Sequence, residues 1–531
     1  MKYLIIFFII TLIYACCYKT KRALHMLQQN LYNENNRYVK WLIKNKNIFI
    51  SSDILLIILS IVELIVLSKN KLINNLGIII ISIVLIFIGL KWKKIIKTNQ
   101  DKKRLVITAR VKRLIITTSI LYLLPLLVLK NKWLFIGIEL AMSYLNSIVV
   151  LIAMFINMPI EKCVYFYYKS KAQKKLKSMN KLKIIGITGS YGKTSSKNIL
   201  SDILNIKYNA LPTPRNLNTY NGLIMTVNNH MDKFTDIFIA EMGAYVKGEI
   251  AGLCKLVKPK YGILTTIGTA HLESFGSEEN IIKGKFELIE SLPADGFGVL
   301  NGDDQKQVNY KLKNKVKTIW IGINNKEVDV LAKNIKCTNK GTEFDVVFTK
   351  TKETHHFETK LLGKHNVYNI LAAIACGKEF GIEIEDLKQA VKSVKPIEHR
   401  LELKRLGNFY QIDDAYNSNP VGAKNACEIL GMMPGYKIMV TPGMIELGEK
   451  ENELNKIFGE QIASVADEVI LIGENKTKPI KEGILSKGFD KNKIIVLNDV
   501  RDAYPYINNI GLEKEVYALF ENDLPDTYNE K

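Results

Sequence analysis

Paired cysteines are missing from this chain. Its seven cysteines, Cys16, Cys17, Cys163, Cys254, Cys337, Cys376 and Cys427, form no C-x-x-C pair. Neither a zinc ribbon nor a disulfide framework is supported, and a reduced cytoplasmic setting fits. No internal repeat or low-complexity tract follows Asn157, which argues against a repeat array in that part. No RNA- or DNA-binding motif accompanies the net charge of +22, so nucleic acid is not expected as a partner. An ABC-type signature is also lacking, which weighs against a transporter driven by ATP hydrolysis.

What is present splits the 531 residues in two. Apolar runs crowd the part before Asn157: Tyr3 to Cys17, Ile48 to Leu67, Leu72 to Leu90, Leu114 to Leu129 and Trp133 to Ile156. Roughly 20 apolar residues cross the hydrocarbon core as a helix, so about five spans are predicted, the first and fourth being short. Lys19, Lys21, Arg22, Arg37, Lys40, Lys44 and Lys46 follow the first run, and a second basic block runs from Lys91 to Arg113. The connections near Lys69 and Lys130 are very short. Basic connections stay on the cytoplasmic side, which sets the N-terminus outside and the chain from Lys162 onward inside the cell. The positive excess then sits beside the membrane, where anionic headgroups attract it, and membrane lipid is an expected partner. In "LIYAC" Tyr14 is bulky for a cleavage site and Lys2 alone makes the basic start, so the first run reads as an anchor. Asp53, Glu63 and Glu139 fall in or near runs, and this topology places all three at the membrane interfaces.

The later part alternates like an α/β protein. In "IIGITGSYGKTSSKNIL", from Ile184, a β-branched strand leads through Gly186, Gly189 and Gly192 to a helix with Ile199, Leu200, Ile203 and Leu204 at helical spacing. In that order, backbone N–H groups of Gly189, Ser190, Tyr191, Gly192 and Lys193 are expected to surround phosphate oxygens at the positive helix end. Lys193 would neutralise the β- and γ-phosphates of ATP, and the Thr194 hydroxyl would reach Mg2+, with Ser195 beside it. The pattern departs from G-x-x-x-x-G-K-[ST], because Ile187 stands where that motif has glycine. "DIFIAEMG" reads as a second buried strand that delivers Glu241 to the carboxyl edge of the sheet, where open α/β sheets bind ligands and where a hard cation finds oxygen.

The spacing G-x-x-G-x-x-G-K-T resembles that of the Mur ligases, the ATP-dependent amino-acid ligases of cell-wall synthesis. Further matches follow in order: "TPRNLNTYNG" from Thr213, "AEMGAYVKGEI" from Ala240, "IGTAHLESFGS" from Ile267 and "GKFELIESL" from Gly284. Then come "NGDD" from Asn301, "GKHNVYNILAA" from Gly363, "HRLE" from His399, "DDAYNSNP" from Asp413 and "GMIELG" from Gly443. The resemblance is dense from Lys181 to Gly448. It implies that Glu241 and His271 bind metal and that Lys285, carbamylated by CO2, adds a carboxylate-like ligand. Asn366 and Asn369 would line the adenine pocket, Arg400 would reach ATP from a third domain across a hinge, and Asp413 and Asp414 would meet the nucleotide. Asn216, Asn218, Thr219, Tyr416, Asn417 and Asn419 are the matching substrate positions.

The expected architecture is therefore a multi-span α-helical membrane domain (1–165), a P-loop α/β central domain (166–395) and a Rossmann-like C-terminal domain (396–531). The implied reaction is ATP-dependent: phosphoryl transfer to a carboxylate, then attack of an amine on the acyl phosphate, with closure of the third domain excluding water. The expected partners are small-molecule substrates, a peptide-bearing precursor and an amino acid or dipeptide. Two departures stand out. Spans replace the family's N-terminal substrate domain, and "LFENDLPDTY", from Leu519 to Tyr528, stands in place of a "KGS"-type segment. Its Glu521, Asp523 and Asp526 suit an incoming ammonium group, or else a polar tail. A different acceptor, of the pseudomurein or polyglutamate type, a P-loop-driven transporter and a silent scaffold are the alternatives.

Overall fold

The computed structural model describes residues 2–45, 54, 58, 71–98, 104–415, 418–445, 447 and 450–523. Most of the run Ile48 to Leu67, with Asp53 and Glu63, lies outside the described residues, as do Tyr416, Asn417 and Asp526. The chain divides into two compact units, Met1–Tyr167 and Tyr168–Lys531.

The first unit is helical. Its long elements are α1 (Lys2–Gln29), α2 (Lys71–Thr98), α3 (Ala109–Val128), α4 (Lys132–Tyr144) and α5 (Asn146–Ser178), the last running on into the second unit. Among the described residues, α1, α2, α3 and α5 are long and apolar enough to cross a bilayer. Phe8, Leu12 and Ala15 of α1 pack with Ile78, Ile81 and Leu85 of α2 and with Phe135 of α4. Ile116, Ile120, Leu123 and Leu127 of α3 and Ile152, Phe155 and Ile156 of α5 are exposed.

One expectation needs correction here. The run Trp133 to Ile156 is not one helix: it breaks at Leu145, leaving α4 with 13 residues, too few to span a bilayer. Asn146 restarts the chain, its amide donating to Thr20 Oγ1 (2.9 Å) and to the Tyr122 hydroxyl (3.0 Å). Such short polar side chains compete with helix continuation. Glu139 is drawn into the helix packing. It is 1% exposed, because the face of α4 that buries Phe135, Ile136 and Leu140 carries Glu139 inward with it.

The second unit holds two sheets. The first comprises β1 (Lys183–Thr188), β2 (Ala210–Pro212), β3 (Ile237–Glu241), β4 (Tyr261–Leu264), β5 (Phe297–Asn301), β6 (Lys317–Gly322), β7 (Val330–Thr338), β8 (Gly341–Phe348) and β9 (Glu353–Thr359). Their order is β2-β3-β1-β4-β5-β6-β7-β8-β9, parallel up to β7 and antiparallel beyond. Strands β1 and β3 are buried almost throughout, which is why they read as near-continuous apolar runs. The chain leaves β1 toward β2 on one side and builds β4 and β5 on the other, so a crevice forms at the carboxyl end of β1.

The second sheet orders β10 (Glu402–Leu406), β11 (Phe409–Asp414), β15 (Val516–Glu521), β12 (Tyr436–Thr441), β13 (Glu468–Ile472) and β14 (Ile494–Leu497) in that sequence. Only β10 runs antiparallel to its neighbour. Apolar clusters cover both of its faces, the layering of a Rossmann-like domain.

Candidate functional site

The glycine turn leaves β1 and enters helix α6 (Lys193–Leu204). Gly189 (φ 151°) and Gly192 (φ 81°) take conformations that side chains rarely adopt, and a Cβ on Gly189 would lie 1.9 Å from Thr265 Oγ1. That closeness reflects stitching of the loop to the exit of β4. Thr265 Oγ1 donates to the Tyr191 carbonyl (2.6 Å), Ser190 N–H donates to the Thr266 carbonyl (2.9 Å), and Ser190 Oγ donates to the Gly268 carbonyl (3.1 Å). Lys193 folds back, its ammonium donating to the carbonyls of Gly189 (2.7 Å) and Ser190 (3.1 Å). Desolvation brings its pKa down to about 8, the Glu241 carboxylate opposing and Arg400 reinforcing the shift.

Glu241 ends β3 beside β1 and is 1% exposed. Its Oε1 accepts from Thr194 Oγ1 (3.3 Å) and Asn218 Nδ2 (3.0 Å), while its Oε2 pairs with Lys197 Nζ at 2.9 Å. Lys197 is equally buried and also donates to the Arg215 carbonyl. Sequence reasoning missed this lysine. Its signal was faint: a cation four residues after Lys193 on the same helix, which reads as a solvated face until the fold places a carboxylate opposite. Asn218 is thus in the site. Thr219 is engaged as the cap of the helix Tyr220–Asn229, accepting from Gly222 N–H at 3.3 Å, and Asn216 is exposed.

His271 (φ 63°) precedes the one-turn helix Leu272–Phe275, its ring centroid 4.5 Å from that of Tyr245. Partial desolvation, then the charges of Lys285 and Lys193, lower its pKa. Lys285 sits on helix α7 (Glu278–Glu290), 1% exposed, with Nζ 3.4 Å from the Ala244 carbonyl and 5.3 Å from the Phe275 ring centroid. Burial, then Lys193, pulls its pKa down to about 7, against the attraction of Glu249 and Glu287. The structure therefore gathers Lys193, His271 and Lys285 into one electrostatic neighbourhood. Among the described residues there is no group of three or more His, Cys, Asp or Glu spaced to hold a metal. The Thr194–Glu241 pair still presents two oxygens of the kind Mg2+ prefers, so these residues fit the ion.

Helix α8 (Lys364–Glu379) carries Asn366 and Asn369, both buried. Asn369 Oδ1 accepts from Ser196 Oγ at 2.7 Å, fastening α8 to the start of α6. Asn366 donates to the Leu362 carbonyl at 2.9 Å. Between the two sheets lies Arg400, flanked by His399 (φ 59°) and Leu401 (φ 52°), two side-chain-bearing residues in the left-handed region. Its charge acts on Lys193, Asp414 and Glu521 alike, which ties the second sheet to the glycine turn. Asp413 Oδ2 accepts from His399 Nδ1 (2.9 Å) and Lys404 Nζ (3.4 Å).

Asp414 and Glu521 end adjacent parallel strands in register. Both are buried, and burial pushes Asp414 up to about 6 and Glu521 well above the carboxylate range, while Ser418 Oγ donates to Glu521 Oε1 at 2.6 Å. Asn419 caps the helix Pro420–Gly431.

A glycine turn at the crevice of a parallel sheet, with an arginine of the stretch leading to a second, Rossmann-like sheet acting on its lysine, defines a two-lobed nucleotide-binding α/β protein. The family model for the Mur ligase middle domain matches residues 187–377, and that for the Mur ligase glutamate ligase domain matches residues 399–516. UDP-N-acetylmuramoyl-tripeptide–D-alanyl-D-alanine ligase of Bacillus subtilis is 35% identical over 324 residues, 60% of this chain and 68% of that one. A crystal structure of MurF from Acinetobacter baumannii superposes with a TM-score of 0.61 at 25% identity, covering 68% of this chain and 78% of that one. The MurF ligase of Thermotoga maritima in complex with ADP gives 0.58 at 26% identity, over 68% and 80% of the two chains. The chain belongs to the Mur ligase family.

Proposed function

We propose that this chain is a membrane-anchored, ATP-dependent ligase that joins a carboxylic acid to an amine through an acyl phosphate in cell-wall peptide synthesis, the reaction being D-alanyl-D-alanine addition of the MurF kind. The observation that carries the reading is the convergence on one crevice of Lys193, the Thr194–Glu241 pair and Arg400 of the other lobe. In this reading residues 166–395 bind ATP, 396–531 close over it, and 1–165 hold the enzyme in the membrane.

A carboxylate is a poor electrophile, so its oxygen first takes the γ-phosphoryl group, and an amine then displaces phosphate from the acyl carbon. Lys193 and the turn's N–H groups hold the triphosphate, which requires the turn to exchange its bonds to Thr266 and to its own carbonyls for phosphate oxygens. Arg400 closes on the developing charge from the opposite side, and Asp413 and Asp414 orient the nucleotide. Thr194, Glu241, His271 and a carbamylated Lys285 would hold Mg2+, which supplies charge neutralisation when bound. The pKa of Lys285 near 7 supports carbamylation, because a neutral amine is the form that adds CO2.

Four long apolar helices support the membrane anchor, and the basic connections favour the cytoplasmic side for the catalytic lobes. Buried Glu521, at the strand end where a "KGS"-type segment is expected, favours as a second reading an amine other than D-alanyl-D-alanine. The test is a phosphate-release screen of the purified chain with candidate peptide acids and amines. Release that needs both partners and drops at least a thousandfold in Lys193→Ala is expected. Release that ignores the amine would overturn the assignment.

A further inference from the structure

We propose that a cleft between α3 and α5 in the first unit binds the phosphate group of an anionic lipid. This inference rests on the membrane reading above. The cleft has a volume of about 220 Å3 and is lined by Tyr32, Arg110, Met154, Met158, Glu161, Lys162 and Tyr165. Two cations, Arg110 and Lys162, line it beside one carboxylate, and a third, Arg113, reaches that carboxylate from outside the lining. Glu161 is held by Arg113 at 2.7 Å and by Arg110 at 3.8 Å, so the surroundings keep a net positive charge.

The Arg110 guanidinium lies 3.8 Å from the Tyr32 ring centroid. Stacking fixes the guanidinium plane and leaves its N–H edge for a planar or tetrahedral oxyanion, while Lys162 adds a point charge. Met154 and Met158, one helical turn apart on α5, supply the apolar wall. Next to them on the same helix Phe155 and Ile156 are exposed, and Ile115 and Ile116 follow the basic start of α3. The cleft therefore sits where a basic rim meets an apolar flank. That pairing suits a phosphate joined to a hydrocarbon chain rather than a free ion. The positive-inside pattern puts it at the cytoplasmic leaflet.

The test uses the full chain in phosphatidylcholine nanodiscs, titrated with phosphatidic acid and read by native mass spectrometry. Wild type is expected to retain one phosphatidic acid. Arg110→Gln and Lys162→Gln are expected to weaken retention at least tenfold, and Lys112→Gln, an exposed cation on the same helix outside the cleft, less than twofold. Met158→Trp, which fills the cleft and keeps every charge, should also abolish retention, with circular dichroism and melting temperature reporting that each variant is folded. Retention unchanged in Arg110→Gln and Met158→Trp, or equal loss in Lys112→Gln, overturns the proposal. So does displacement of the lipid by millimolar inorganic phosphate, which would mark a free-phosphate site. Extraction of the chain from membranes by alkaline carbonate would sink the membrane reading and this inference with it. Firm membrane retention with unaltered lipid affinity in the variants would sink this inference alone.

Discussion

Lys197 and Glu241 form an ion pair with neither partner more than 2% exposed, and such pairs are felt most when one member is removed. Lys197→Met strands the carboxylate, at a cost of about 3–5 kcal/mol, so the urea midpoint is expected to fall sharply. Glu241→Gln in the same chain should recover part of that loss, the coupling being read from a double-mutant cycle. The Asp414–Glu521 pair makes the opposite kind of prediction, one about pH. The carboxyl of Asp414 is raised from 3.8 to about 6, so between those values the folded chain binds more protons than the unfolded one. Stability then falls as pH rises through that window. Asp414→Asn removes the titrating group and should shrink the drop between pH 4.5 and 6.5 by about 1–3 kcal/mol, measured by denaturant melts at both values.

At the level of elements, the turn between β1 and α6 has no room to spare. Gly189→Ala would drive a Cβ into Thr265 from a left-handed backbone, and overpacking of this kind costs about 1–3 kcal/mol. Loss of binding to a fluorescent ATP analogue is expected together with a lower melting temperature. Gly248→Ala, also at positive φ (95°) but with nothing within 4 Å of the added Cβ, should lower the melting temperature less and leave nucleotide binding intact. This strand, turn and helix were legible in the sequence because burial on both faces of a parallel strand leaves an unbroken apolar run and the glycines mark the turn. The delivery of Glu241 to the same edge was legible for the same reason. The break at Leu145 was not, since Tyr144 and Leu145 are as apolar as a continuing helix and the polar cue, Asn146, acts through Thr20 and Tyr122 on other helices. Lys197 was hidden similarly: its partner lies 44 residues away in the chain, and composition carries no trace of that meeting.

For the whole molecule, the alternation of basic and short connections makes a vectorial statement. With exposed Cys17 and Cys163 changed to serine, a cysteine placed at Lys130 is expected to react with a membrane-impermeant maleimide on intact cells. One placed at Lys112 should react only after lysis, and the reverse pattern would put the nucleotide site outside.

The backbone around Arg400 bears on the lobe closure proposed above. His399 and Leu401 hold left-handed geometry without being glycine, and each such residue costs about 1–2 kcal/mol. Under the proposed closure, a joint confined to so small an allowed backbone region is expected to work as a ratchet with fixed stops rather than as a loose tether. On that reading an activated acid awaiting its amine would sit behind a door that is either shut or open, with little time spent ajar.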